Sequence, residues 1–142
     1  MIDLNTGEII LAGVKFNALS KVEDFLQYDE SIVYVNNRGN GRGIIRLQKY
    51  VESNGILAQI KFEINEKTNS RRVVILPSLQ NMSSLTLLEA SKLWMRGMAV
   101  GDYRELPDSI IGEYTWGYVI AQYRQDRDYG TVGGEISIVF GG

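Results

Sequence analysis

The residues best suited to chemistry by type and spacing are two arginines that flank alternating glycines. Arg38 and Arg42 bracket Gly39 and Gly41 within the stretch Asn36–Gly43. Glycine lets backbone amides approach an anion, and two guanidinium groups would add positive charge. The stretch lies between two predicted strands and matches neither the dinucleotide-binding nor the P-loop fingerprint. It is therefore either an ordinary hairpin loop or a binding loop, with Arg38 and Arg42 as the candidate contacts.

A second candidate contact is the charged tip of a long predicted loop, residues 124–134. Its side chains combine both signs of charge with an aromatic ring, at Asp126, Arg127, Asp128 and Tyr129. Tyrosine and arginine are common anchors of protein interfaces, whereas mixed charge is also typical of a solvated loop. Both interpretations stay open, and these four residues complete the predicted partner-binding set.

A third candidate is a row of aromatic side chains, Tyr114, Trp116 and Tyr118, which alternate along one predicted strand face. If exposed, they could stack on the bases of single-stranded nucleic acid, with arginines at positions 38, 42, 71 and 72 on the phosphates. If buried, they would form the core face of a sheet under a helix. The sequence leaves their exposure undecided.

The composition argues against familiar catalysis. The chain has no histidine and no cysteine, which removes the commonest general base, a common metal ligand and all thiolate chemistry. Carboxylates are numerous, but no spacing favours a particular pair. We find no calcium-binding loop, serine nucleophile elbow or phosphoryl-transfer motif. We therefore expect no enzymatic activity, no cofactor and no bound metal.

The bulk properties predict one globular domain over residues 1–142. Hydrophobic residues make up 44% and charged residues 23% of the chain, which argues against disorder. The formal net charge is −2, so non-specific nucleic-acid binding is disfavoured and a basic partner is favoured. The sequence shows neither a signal peptide nor an apolar run long enough to cross a bilayer. We therefore expect a cytoplasmic protein without a membrane partner.

The elements that must position these residues predict an α+β fold, with an antiparallel sheet of about six to eight strands and two short helices packed against it. Capping boxes at Ser20–Glu23 and Thr86–Glu89 predict helices at Lys21–Tyr28 and Leu85–Arg96. Alternating or β-branched runs predict strands at residues 8–11, 14–16, 31–35, 44–51, 56–65, 71–76, 113–123 and 135–140.

Two end segments carry a resemblance to a known class of proteins. The opening stretch Asp3–Phe16, and Tyr114–Tyr118 together with Glu135–Ile138, resemble the small immunity proteins encoded beside bacterial polymorphic and contact-dependent toxins. The resemblance implies a cytoplasmic protein that binds one cognate toxin domain, expected to be basic, and blocks its active site or its access to substrate. It assigns no functional residue. A single-stranded nucleic-acid-binding module is the alternative, and the sequence does not set the oligomeric state.

Overall fold

The computed structural model describes residues 1–53, 56–77, 94, 103–107, 109–125 and 132–141. These residues form two antiparallel sheets. A three-stranded sheet has the order β1-β2-β3, with bounds Ile2–Asp3, Glu8–Leu11 and Val14–Phe16. A nine-stranded sheet has the order β4-β5-β7-β8-β12-β11-β10-β9, and β6 pairs with β7. Its strands are β4 Val33–Gly39, β5 Arg42–Leu47, β6 Val51–Ser53, β7 Ile56–Asn65, β8 Ser70–Pro77, β9 Tyr103–Leu106, β10 Ser109–Tyr114, β11 Gly117–Gln125 and β12 Val132–Phe140.

The predicted α+β fold is wrong, because the described chain is mostly β and does not place two helices on a sheet. The first predicted helix is a six-residue 3₁₀ helix, Val22–Gln27. The second, Leu85–Arg96, lies outside the described residues except for Trp94, which has helical conformation. Trp94 is buried and its indole N–H donates to Ser53 Oγ at 3.0 Å. Within the described ranges, no helix combines the length and apolarity that a membrane crossing requires.

The predicted serine cap of the first helix is also wrong. Ser20 Oγ accepts a hydrogen bond from the Asn17 backbone N–H at 3.0 Å and so closes the preceding turn. The 3₁₀ helix is instead entered through Asp24, whose carboxylate accepts the Lys21 backbone N–H at 2.8 Å. A short side chain that can bond the backbone on either side competes with helix formation. The helical pattern here is therefore confined to one or two turns.

The core lies on one face of the nine-stranded sheet. Directly paired residues share a face, and the ladder aligns Ile45, Phe62, Val73, Ile138 and Val119 in one row across five strands. All five have 0% exposure. The three-stranded sheet and the 3₁₀ helix cover this row, with the Phe16 and Phe25 rings 4.5 and 5.5 Å from the Phe62 ring. The residues next along each strand must point to the opposite face, here called the open face.

The predicted strand over residues 113–123 is divided by a tight turn. β10 ends at Tyr114, which pairs with Gly117 at the start of β11. Gly117 has φ +155°, and a Cβ there would lie 1.9 Å from the Val139 carbonyl oxygen. Only glycine fits this approach of two strands, so the turn depends on it.

The turn removes Trp116 from the aromatic row. Its indole stacks on Tyr114 with ring centroids 5.2 Å apart, and its N–H donates to the Leu4 carbonyl at 2.8 Å. The ring also lies over Gly7, where a Cβ would come within 2.8 Å of it. Trp116 and Tyr114 are half-buried against the core, and they join the small sheet to the large one. Tyr118 lies on the open face.

Candidate functional site

The open face carries a concavity of about 570 Å³. Strand register aligns Ile44, Glu63, Arg72, Val139 and Tyr118 across its floor. This row is the counterpart, one residue along each strand, of the buried row on the core face. Further lining is supplied by Arg38, Arg42, Asn65, Ser70, Ile120, Gln122 and Ser137. Arginine, tyrosine and aliphatic side chains therefore meet in one open hollow.

The β4–β5 hairpin positions two of the arginines. Gly39, Asn40 and Gly41 all have positive φ, at 78°, 57° and 74°, so the glycines serve the turn itself. The Gly41 carbonyl accepts the Glu66 backbone N–H at 2.9 Å, which fastens the hairpin to the β7–β8 turn. The predicted hairpin between two strands is confirmed. The same hairpin holds Arg38 and Arg42 at the rim of the concavity.

An ion-pair network fixes the third arginine. The Glu63 carboxylate accepts Arg72 Nε at 3.1 Å and a terminal Arg72 nitrogen at 2.8 Å, and Lys61 Nζ lies 3.1 Å from its other oxygen. Burial raises the pKa of Glu63, but the Lys61 hydrogen bond and the charges of Arg72 and Lys61 outweigh burial and hold the pKa below its usual value. Glu63 is therefore ionised at neutral pH and orients Arg72.

The concavity has an excess of positive charge. Among the described residues, three arginines line it against the single carboxylate of Glu63. Within the described part of the chain, neither Arg38 nor Arg42 has an ion-pair partner, and both are exposed. The chain as a whole has a net charge of −2. A local basic hollow on an acidic protein favours an anionic group as its occupant.

A buried polar cluster borders the hollow. Glu135 Oε1 accepts Gln122 Nε2 at 3.3 Å and Ser137 Oγ at 3.4 Å. Ser137 is 1% and Glu135 8% exposed. Buried polar groups that bond one another resist rearrangement. Gln122 and Ser137 therefore offer the hollow fixed hydrogen-bonding side chains.

The predicted site residues have different locations. Arg38 and Arg42 lie together with Arg72 and Tyr118, whereas Arg71 is on the core face. Arg71 is 6% exposed and donates to the Ser20 carbonyl at 2.6 Å and to Asn69 Oδ1 at 2.5 Å. Its role is therefore structural. The other predicted contacts, Asp126, Arg127, Asp128 and Tyr129, lie outside the described residues.

Sequence reasoning named Arg72 only as a phosphate contact of the nucleic-acid alternative, and it missed Glu63 as part of the site. A signal was present, because β7 alternates apolar and polar residues and Glu63 falls on its polar side. Arg72 follows the inward-facing Arg71, so strand alternation turns it outward. Their pairing across the β7–β8 hairpin follows from the turn between the two strands.

The arrangement can bind a carboxylate or phosphate group through guanidinium donors. Searching the described residues shows no cluster of three acidic side chains that could hold a metal ion. Comparison with protein-family models, with curated proteins and with solved structures found no significant match. Function is therefore inferred from the open face itself.

Proposed function

We propose that the protein is a non-catalytic binding protein whose partner docks on the open face, and that it neutralises a cognate toxin domain in the cytoplasm. The observation that carries the proposal is the concavity that Arg38, Arg42, Arg72 and Tyr118 line together. The resemblance of the end segments to bacterial immunity proteins supports the toxin-neutralising role.

The composition of the concavity suits a protein partner. Tyrosine and arginine are enriched in protein interfaces and frequently dominate their binding energy. Ile44, Ile120 and Val139 supply apolar surface between the charges. Because Glu63 already holds Arg72, less side-chain entropy is lost when that arginine meets its ligand.

The charge of the concavity indicates which part of the partner it contacts. Guanidinium groups bind carboxylates with two parallel hydrogen bonds. A toxin that holds catalytic Mg²⁺ through carboxylates presents such acids at its active site. A toxin domain can be basic overall and still place these acids against Arg38, Arg42 and Arg72. Occupying the acids would block catalysis without any turnover by the inhibitor.

Single-stranded nucleic acid is the competing ligand, since three arginines and Tyr118 line the same concavity. Three features favour protein. Glu63 places a carboxylate inside the hollow, the chain is acidic, and Trp116 is occupied in the bond to Leu4. Stacking platforms for single strands combine several exposed aromatic rings with an extended basic groove.

The test is affinity purification of the full chain from its host, followed by a binding and rescue assay with the captured toxin domain. Arg42→Glu is compared with Arg46→Glu, an exposed arginine on the same face outside the concavity. We expect Arg42→Glu to weaken binding by about 2 kcal/mol, or ~30-fold in Kd, and to abolish rescue of cells from the toxin.

Arg46→Glu should bind and rescue as the unmodified chain does. Equal loss in both variants, or no loss in either, would reject the concavity as the docking site. Salt-sensitive capture of single-stranded DNA or RNA, with no protein that the chain neutralises, would replace this proposal with the nucleic-acid alternative.

A further inference from the structure

The two edges of the nine-stranded sheet differ in how they are protected against pairing. β9 is four residues long, carries Arg104 and Glu105, and is followed directly by Pro107. Short length, charge and proline are the usual means of blocking a sheet edge. β4 at the other edge has seven residues, Val33–Gly39, with no proline, and its one charged side chain, Arg38, lies at a register shift near its end. Among the described strands it pairs only with β5.

The outward backbone of β4 follows from one hydrogen bond. The Gln48 N–H donates to the Ile32 carbonyl at 2.9 Å, so this carbonyl points toward the β5 side, while the Ile32 N–H donates to the Asp29 carbonyl at 2.9 Å. In an antiparallel pair these directions alternate. Val33, Val35 and Asn37 therefore direct their backbone groups away from the sheet. The Val33 N–H donates to the Asp29 carbonyl at 3.2 Å. The outward backbone groups of Val35 and Asn37 are therefore the ones along this edge that a further strand could pair with.

A slot of mixed polarity accompanies this edge. It is a cavity of about 430 Å³ between the 3₁₀ helix and β4, whose lining combines the apolar Phe25, Leu26, Val33 and Val35 with Tyr28, Glu30, Tyr34 and Gln48. Leu26 is 61% exposed. A strand added to β4 would direct alternate side chains into this slot, since successive side chains point to opposite faces. The edge thus offers hydrogen bonds and apolar surface together.

The charges along β4 identify the strand that fits. Asp29 and Glu30 precede β4, whereas Arg38 and Arg42 lie at its far end. The Ser31 backbone N–H donates to Asp29 and holds the pKa of that carboxyl below its usual value. An antiparallel second copy of β4 places the acidic end of each chain beside the basic end of the other. A parallel copy would place like charges together.

We propose that two copies of this chain pair along β4, antiparallel and centred on Val35. The Val35 N–H and C=O of each copy then bond those of the other, and each Asn37 N–H donates to Val33 of its partner copy. Arg38, at the register shift near the end of β4, then lies at the end of the pair where the second copy carries Asp29 and Glu30, so opposite charges approach each other. Both open faces lie on the same side of the joined sheet, because the two-fold axis is perpendicular to it.

The dimer uses the edge of β4 and not the concavity floor, and it shares only Arg38 with the proposed docking site, whereas Val35 and Glu30 lie outside the concavity. It is tested on the full chain by sedimentation velocity over a concentration series. We expect a dimer that dissociates on dilution. Val35→Pro removes the central N–H at a position where an edge strand tolerates proline, and should give a monomer.

Charge variants keep the test independent of folding. Glu30→Arg and Arg38→Glu should each weaken the dimer about tenfold, because like charges then meet across the pair. The double variant restores opposite charges and should recover dimerisation. Glu105→Lys on the β9 edge is the matched control and should leave the dimer unchanged.

Amide hydrogen exchange gives a second readout. The backbone amides of Val35 and Asn37 should exchange more slowly at protein concentrations above the Kd of the dimer than below it. A chain that stays monomeric at millimolar concentration, or a double variant no better than the single variants, would overturn the proposal. A chain that forms the dimer but binds no partner would refute the concavity as a docking site and leave the dimer proposal standing.

Discussion

Gly117→Ala should be among the most damaging single substitutions in the described chain. Gly117 has φ +155°, and an alanine Cβ would lie 1.9 Å from the Val139 carbonyl oxygen. Holding alanine at a sparsely populated backbone conformation costs about 1–3 kcal/mol. The contact also forces β11 and β12 apart where Tyr118 pairs with Val139, and each ladder hydrogen bond lost there costs about 1 kcal/mol. Together these effects predict a loss of about 4 kcal/mol in the free energy of unfolding.

The measurement is urea-induced unfolding followed by tryptophan fluorescence and circular dichroism. Gly13→Ala is the matched control, because Gly13 has φ +78° but a Cβ there has nothing within 4 Å. Its free energy of unfolding should fall only by the cost of holding alanine in the left-handed backbone conformation, about 1–2 kcal/mol. If the two alanine variants unfold at the same urea concentration, the close approach of β11 and β12 does not limit stability and this reasoning fails.

Two further predictions concern the open face and the joint between the sheets. Glu63→Gln should lower the urea midpoint at pH 7. The pKa of Glu63 is lower in the folded chain than its ordinary value of 4.5. Ionised Glu63 therefore stabilises the fold fully above pH 4.5, and this stabilisation is lost as the pH falls through the pKa that Glu63 has in the folded chain. A stability difference between the Glu63→Gln variant and the unmodified chain that stays constant from pH 7 to about pH 3 would contradict the ion-pair assignment. Trp116→Phe removes the donor to the Leu4 carbonyl and should cost about 1–3 kcal/mol, with faster amide exchange in β1 and β2. Unchanged exchange there would show that the bond does not hold the small sheet.

Strands with a strict alternation were predictable from the sequence. Residues 56–65 alternate apolar and polar side chains and form β7 over that range. The segment from Tyr114 to Tyr118 shows the limit of the same rule. Its alternating aromatic residues resemble one strand, yet Tyr114 pairs with Gly117, and the two residues between them form a tight turn. A period-2 pattern cannot distinguish a continuous strand from two strands that meet at a tight turn.

The helices were predicted from local capping patterns, and tertiary context decided the outcome. Ser20 can bond the backbone of the preceding turn as well as a helix, and in the fold it bonds Asn17. Arg38 and Arg42 could be predicted as candidate contacts because the turn signal of the hairpin is local. That they line the same concavity as Tyr118 could not be predicted, because β12 lies between β8 and β11 and strand order is a long-range property.

That strand order has a consequence for how the chain is made. Of the described strands, β4 to β8 form one ribbon and β9 to β11 another, and β12 alone joins the two through its pairs with β8 and β11. β12 is also the last of these strands to leave the ribosome. Until it does, each ribbon exposes a long unpaired strand, which is the condition under which nascent β-sheets aggregate. Closure of the nine-stranded sheet therefore has to wait for the synthesis of β12.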